Sequence, residues 1–170
     1  MGLEHIWAGW RSTYVASVSP EPSTDGSVFT QLLRSGLSDE QAQIVHRGAT
    51  CFAVLNAYPY GTGHTLIVPY REVPDLEDLD GREFTDLWTT VTDAVRAVKT
   101  AYCPEGVNVG VNLGRPAGGS VSGHLHVHVV PRWTGDANFL TALANTRALP
   151  EALDVTAARI RAAWPPAPTV

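Results

Sequence analysis

The spacing of apolar residues changes character several times along the chain, and each change marks an element. Residues 28–46 carry short helical signals, with Phe29, Leu32 and Leu33 on one face. Ser38 followed by Gln41 has the form of a capping box. From Thr50 the period shortens: Cys51–Leu55 and His64–Pro69 are brief apolar runs joined by the turn-rich segment 56–63, and they read as two antiparallel strands. Phe84, Leu87, Trp88, Val91, Val95, Val98 and Tyr102 recur near a period of 3.6 and predict a helix over 82–102, closed by Pro104 and Gly106. Residues 107–112 alternate as a strand, 114–120 form a glycine-rich loop, and 124–130 give the densest strand signal. Residues 150–164 suggest a last helix. The order predicts an α+β fold, an antiparallel meander with its helices on one side.

The ends differ from this body. Residues 1–27 read as an N-terminal arm and loop, in which Trp7, Trp10, Tyr14 and Val15 precede a stretch of Ser, Pro, Thr, Asp and Gly. The single folded domain is expected over 28–164, and the proline-rich residues 165–170 are expected to be a flexible tail.

With 170 residues, 44% hydrophobic and 17% charged, the chain holds one domain with a substantial core and is not intrinsically disordered. Its longest purely apolar stretches resemble Cys51–Leu55, far short of the roughly 18 residues of a membrane span. The start lacks a signal-peptide pattern, and Ile6 stands where a myristoylation signal needs Ser or Thr. A net charge of −5 argues against coating nucleic acid. Cys51 and Cys103 have no metal or disulfide spacing and are expected to be plain thiols, Cys51 in the core. A cytoplasmic protein without a membrane or nucleic-acid partner is the expectation.

The candidate chemistry lies in the histidines. His124, His126 and His128 alternate in a strand-like run, so their imidazoles share one face while Leu125, Val127 and Val129 point into the core. A metal site is one use of such a row. On a strand His124 and His128 lie roughly 13 Å apart, too far to join one ion easily, and no Asp, Glu or Cys stands nearby in sequence. The other use is nucleophilic attack on phosphorus by a neutral imidazole, flanked by groups that hold phosphate oxygens. The loop Gly118-Gly119-Ser120 offers amides and a hydroxyl for that purpose. It is neither a P-loop nor a dinucleotide fingerprint, and the Gly-x-Ser-x-Gly elbow is absent. No metal and no cofactor are required by this reading.

The run His124-Leu125-His126-Val127-His128-Val129-Val130 resembles the signature of the histidine triad (HIT) superfamily. Asn56, eight residues before His64, and the loop Asn112–Ser120 resemble its other two blocks. Leu55–Tyr60, Val68–Arg71, Asn108–Gly114, Ala117–Ser120 and His128–Trp133 are similar to its bacterial diadenosine tetraphosphate phosphorylase branch. The resemblance implies a five-stranded antiparallel sheet with packed helices and a homodimer or tetramer. It implies that His126 is the nucleophile of a nucleotidyl-histidine intermediate, with His124, His128, His64 and Ser120 around the phosphates. Asn56 would bind ribose, Asn112 the ribose or α-phosphate side, and Phe52, Leu55 and Tyr58 the base. Ser120, where hydrolase branches have Gln, implies a phosphorylase whose partners are a nucleotide and inorganic phosphate. A hydrolase, or a transferase using another acceptor or conjugate, stays open, as do a noncatalytic nucleotide sensor and, last, a metal-binding protein.

Overall fold

The computed structural model describes residues 25–136 and 151–166. The aromatic arm before residue 25 and most of the tail lie outside them. In chain order the elements are α1 (Val28–Arg34), β1 (Ile44–Arg47), β2 (Cys51–Leu55), β3 (Thr65–Pro69), α2 (Gly81–Tyr102), β4 (Gly106–Val111), β5 (Val127–Arg132) and α3 (Leu153–Ala163). The strands form one antiparallel sheet in the order β1-β2-β3-β5-β4. This is the expected α+β architecture.

The long helix starts where its sequence says it should. Asp80 accepts from the Arg82 and Glu83 amides, and Glu83 reaches back to the Asp80 amide, completing a capping box. The helix ends with Cys103 in the left-handed conformation at φ 46°. Its buried stripe of Leu87, Val91, Ala94 and Val98 lies against Ala53, Ile67, Val127 and Val129 of the sheet. Covering a large aliphatic side chain in this way is worth about 1.5–3 kcal/mol. α3 adds Ala157 and Ile160 to the same core. Arg161 fastens it to the sheet edge, donating to the carbonyls of Ile44 and Asp39.

Three features depart from the pattern read in the sequence. First, Ile44–Arg47 is a strand, although the stretch looked helical. The Ser38–Gln41 box forms, with the Ser38 amide donating to Gln41 Oε1 and the Gln41 amide to Ser38 Oγ. It caps only a turn, because Gln43 enters the left-handed region at φ 57° and Ile44 then pairs with Val54. Second, the helices do not all lie on one side. α2 and α3 cover one face, while Phe29 of α1 packs on the other with Ile44, Phe52, Val54, Leu66 and Val68. Third, β5 begins at Val127, so of the three alternating histidines only His128 is within a strand.

Candidate functional site

Sheet register decides which side chains face the histidines. His128 lies opposite Leu66 on β3 and Gly110 on β4, and Leu66 lies opposite Val54 on β2. Side chains directly opposite one another share a face. Phe52, Val54, Leu66 and Val68 therefore lie on the histidine side, and Leu55, Thr65 and Val129 on the helix side. His124 and His126 approach β5 in a segment held by the Leu125 amide, which donates to the Val73 carbonyl at 2.7 Å.

Their partners assign the protons on the buried imidazoles. A backbone amide can only donate and a carbonyl can only accept, so each such contact fixes one ring nitrogen. His126 Nδ1 lies 2.8 Å from the His124 carbonyl and must carry the proton, which leaves the lone pair on Nε2. His64 Nδ1 accepts from the Tyr60 amide at 3.0 Å, so its proton is on Nε2 and is donated to His128 Nδ1 at 2.9 Å. His128 then carries its own proton on Nε2; Asn112 Nδ2, 3.5 Å away, is also a donor, so the two groups do not bond to each other. His124 Nε2 donates to the Pro69 carbonyl at 2.8 Å, and its Nδ1 accepts from the Ser27 hydroxyl at 2.6 Å. One neutral imidazole with a free Nε2 thus stands beside another that offers an Nε2–H.

Burial favours the neutral form of the three alternating histidines. It pulls His124 and His126 below the ordinary histidine range. His128 falls to about 4, through burial first and the neighbouring His126 second. The His126 and His128 ring centroids are 5.0 Å apart. Among the described residues no group of three or more His, Cys, Asp or Glu is arranged to hold a metal ion.

The hydrogen bonds bring Asn56 and Asn112 to this group as expected. Asn56 Nδ2 lies 3.3 Å from His64 Nδ1, and its Oδ1 accepts from the Tyr58 amide. In the loop before the histidines, Gly119 is buried so closely against the Asn112 and Gly114 carbonyls that a Cβ would meet them at 3.2 and 3.1 Å. Gly118 and Ser120 on either side are exposed.

The expected base-binding residues are corrected by the register. Leu55 belongs to the core on the helix side, away from His128. Phe52 is on the histidine side but fully buried, stacked on Tyr70 at 5.4 Å. Neither offers a face to a base. Tyr58 is 87% exposed.

Sequence reasoning missed four neighbours of the histidines. Phe29 sets its ring 5.4 Å from His124 and 5.3 Å from His126. Tyr60 stacks on His128 at 5.7 Å and tilts over His64 at 4.5 Å. Ser27 and Glu72 reach His124 from two segments far apart in the chain. Ser27 had a signal, since a serine just before Val28 and Phe29 is a good helix N-cap; Glu72 had none.

Comparison with known proteins agrees with this geometry. A family model described as the HIT domain matches residues 38–135. A Mycobacterium tuberculosis protein described as AP-4-A phosphorylase is 43% identical over 167 residues, covering 95% of this chain and 85% of that one. An asymmetrical bis(5'-nucleosyl)-tetraphosphatase of Schizosaccharomyces pombe is 36% identical over 56% of this chain and 52% of its own. The crystal structure of a Hit-like protein from Bartonella henselae superposes with a TM-score of 0.65 at 25% identity, covering 82% of this chain and 97% of that one. The buried histidine row and these matches agree: the chain belongs to the HIT domain family.

Proposed function

We propose that this chain is a HIT-type nucleotidyltransferase that cleaves dinucleoside polyphosphates with inorganic phosphate as acceptor. The observation that carries the reading is the proton pattern of the histidines, which leaves His126 Nε2 free to attack beside the Nε2–H of His128. The similarity to the M. tuberculosis phosphorylase supports the substrate class.

The chemistry follows in two displacements. His126 Nε2 attacks the α-phosphorus of diadenosine tetraphosphate. The new N–P bond forms as the P–O bond to the leaving ATP breaks, and that oxygen keeps the electron pair. A phosphate oxygen then attacks the same phosphorus, expels His126 and yields ADP. The His128 N–H and the Asn112 amide are placed to meet charge developing on phosphoryl oxygens. Gly118, Gly119 and Ser120 serve the phosphates from the loop, and Asn56 the ribose. The working form is a cytoplasmic homodimer or tetramer. β4 lies at the sheet edge with Val109 exposed, which supports pairing with a second copy.

The test is product analysis with and without phosphate. ADP and ATP in equal amounts, with strong phosphate stimulation, are expected. AMP and ATP at a phosphate-independent rate would assign the protein to the hydrolases. His126→Ala should lose turnover by orders of magnitude and keep nucleotide binding. Denaturing mass spectrometry of the wild type quenched without phosphate should find one added adenylyl group, which the variant lacks.

A further inference from the structure

We propose that Ser27, backed by Glu72, is a positioning residue for the nucleophile, an inference that rests on the role of His126 given above. The Ser27 hydroxyl donates to His124 Nδ1 at 2.6 Å while its oxygen accepts from the Thr30 amide as the N-cap of α1. Both Glu72 oxygens accept from the Ser27 amide, at 3.1 and 2.9 Å, and Oε2 also accepts from the Thr30 hydroxyl at 2.6 Å. The hydroxyl is therefore oriented by the Thr30 amide, and the Ser27 backbone by Glu72, before it meets the imidazole.

What it orients is the residue on which the nucleophile hangs. The His124 ring is held at both nitrogens, by Ser27 on one side and the Pro69 carbonyl on the other. Its backbone carbonyl in turn receives the proton of His126 Nδ1. Segment 69–73 supplies the other half of the clamp, through the Pro69 carbonyl, Glu72 and the Val73 carbonyl that accepts from Leu125. Ser27 reaches the same point from 97 residues away. Three successive hydrogen-bonded links thus run from Glu72 through Ser27 and His124 to the imidazole that attacks.

Removing the hydroxyl leaves Nδ1 of a buried residue, 1% exposed, without that partner, with Glu72 Oε2 4.0 Å away. The ring then either turns or takes up a second proton toward Glu72. In both cases the carbonyl that fixes His126 shifts or gains a positive neighbour. Ser27→Ala also removes the side-chain cap of α1, while Phe29 packs that helix against the sheet.

The test uses the full chain. Ser27→Ala should lower kcat for diadenosine tetraphosphate cleavage about tenfold, the equivalent of one lost hydrogen bond, with KM within about twofold. Ser27→Thr should restore most of the rate. Ser35→Ala loosens the opposite end of α1, where Ser35 Oγ donates to the Leu32 carbonyl, and should leave kcat within about twofold. Long-range proton–nitrogen NMR of the imidazoles reads the network without turnover. The wild type should show His124 as the Nε2–H form and His126 as the Nδ1–H form, and Ser27→Ala should displace the signals of both. If Ser27→Ala leaves the His126 signals and kcat unchanged, or if Ser35→Ala lowers kcat equally, the proposal is overturned. Should the wild type cleave no dinucleoside polyphosphate, the functional reading fails, while displaced His126 signals in Ser27→Ala still support the clamp.

Discussion

Gly63 is the residue on which the placement of His64 turns, and replacing it with alanine gives a calculable cost. Its φ of +80° lies in the left-handed region, where a side chain costs about 1–2 kcal/mol. The added Cβ would meet Pro131 Cγ at 3.1 Å and Tyr102 Cε2 at 3.3 Å. Neither neighbour yields easily: Pro131 is part of β5, and Tyr102 donates to Glu151 with Arg159 over its ring. Crowding of this kind costs about 1–3 kcal/mol, for a total of about 2–5 kcal/mol. In a domain of this size each kcal/mol moves the melting midpoint by about 2–4 °C, so Gly63→Ala should melt roughly 4–20 °C below the parent. Gly61→Ala is the control, because a Cβ there meets nothing within 4 Å and its φ is ordinary. Thermal unfolding followed by circular dichroism compares the three proteins. Any relief must move the backbone next to His64, whose Nε2 sits 2.9 Å from His128, so kcat should fall at temperatures where the variant is folded. A Gly63→Ala protein melting within about 1 °C of the parent, or a Gly61→Ala protein equally destabilised, would refute the reasoning.

Two further outcomes follow from burial and from the sheet edge. Because His128 titrates at about 4 in the fold and near 6.5 when unfolded, the unfolded chain binds more protons between those values, and stability present above pH 6.5 is lost as the pH falls toward 4. The depressed His124 and His126 act in the same direction, so the urea midpoint should hold between pH 8 and 7 and drop by pH 5; equal midpoints at pH 7 and 5 would contradict the neutral row. For the assembly, light scattering at micromolar concentration should report a dimer or tetramer, and a monomer alone would rule out pairing through the β4 edge.

The legible parts of this molecule are those written in local patterns. The stripe from Leu87 to Val98 located α2 because it states which side is buried, and the alternation at 107–112 located β4, although none of β4 is fully buried. The histidine row was legible as a cluster, although of its three imidazoles only that of His128 lies within a strand. β1 was hidden because Ser38 and Gln41 make a real cap whose helix stops after one turn. What stops it is the left-handed Gln43 and the pairing of Ile44 with Val54, ten residues away. Leu55 was misplaced for a related reason. An all-buried strand such as Cys51–Leu55 has no alternation to say which face meets the ligand, and only its register with β3 and β5 decides.

The protons of the site lie one step further from the sequence, because backbone groups assign them. The His124 carbonyl settles His126, the Tyr60 amide settles His64 and through it His128, and the Pro69 carbonyl settles His124. Every residue type has such groups, so no residue identity advertises the assignment. The side-chain exception is the Ser27 hydroxyl, which bonds the His124 ring directly and which a point substitution can remove while leaving the backbone in place. Mutating the histidines tests whether the row is needed. Substituting Ser27 tests instead whether its proton pattern is needed, and that pattern is what makes one imidazole of the row a nucleophile and its neighbour a donor.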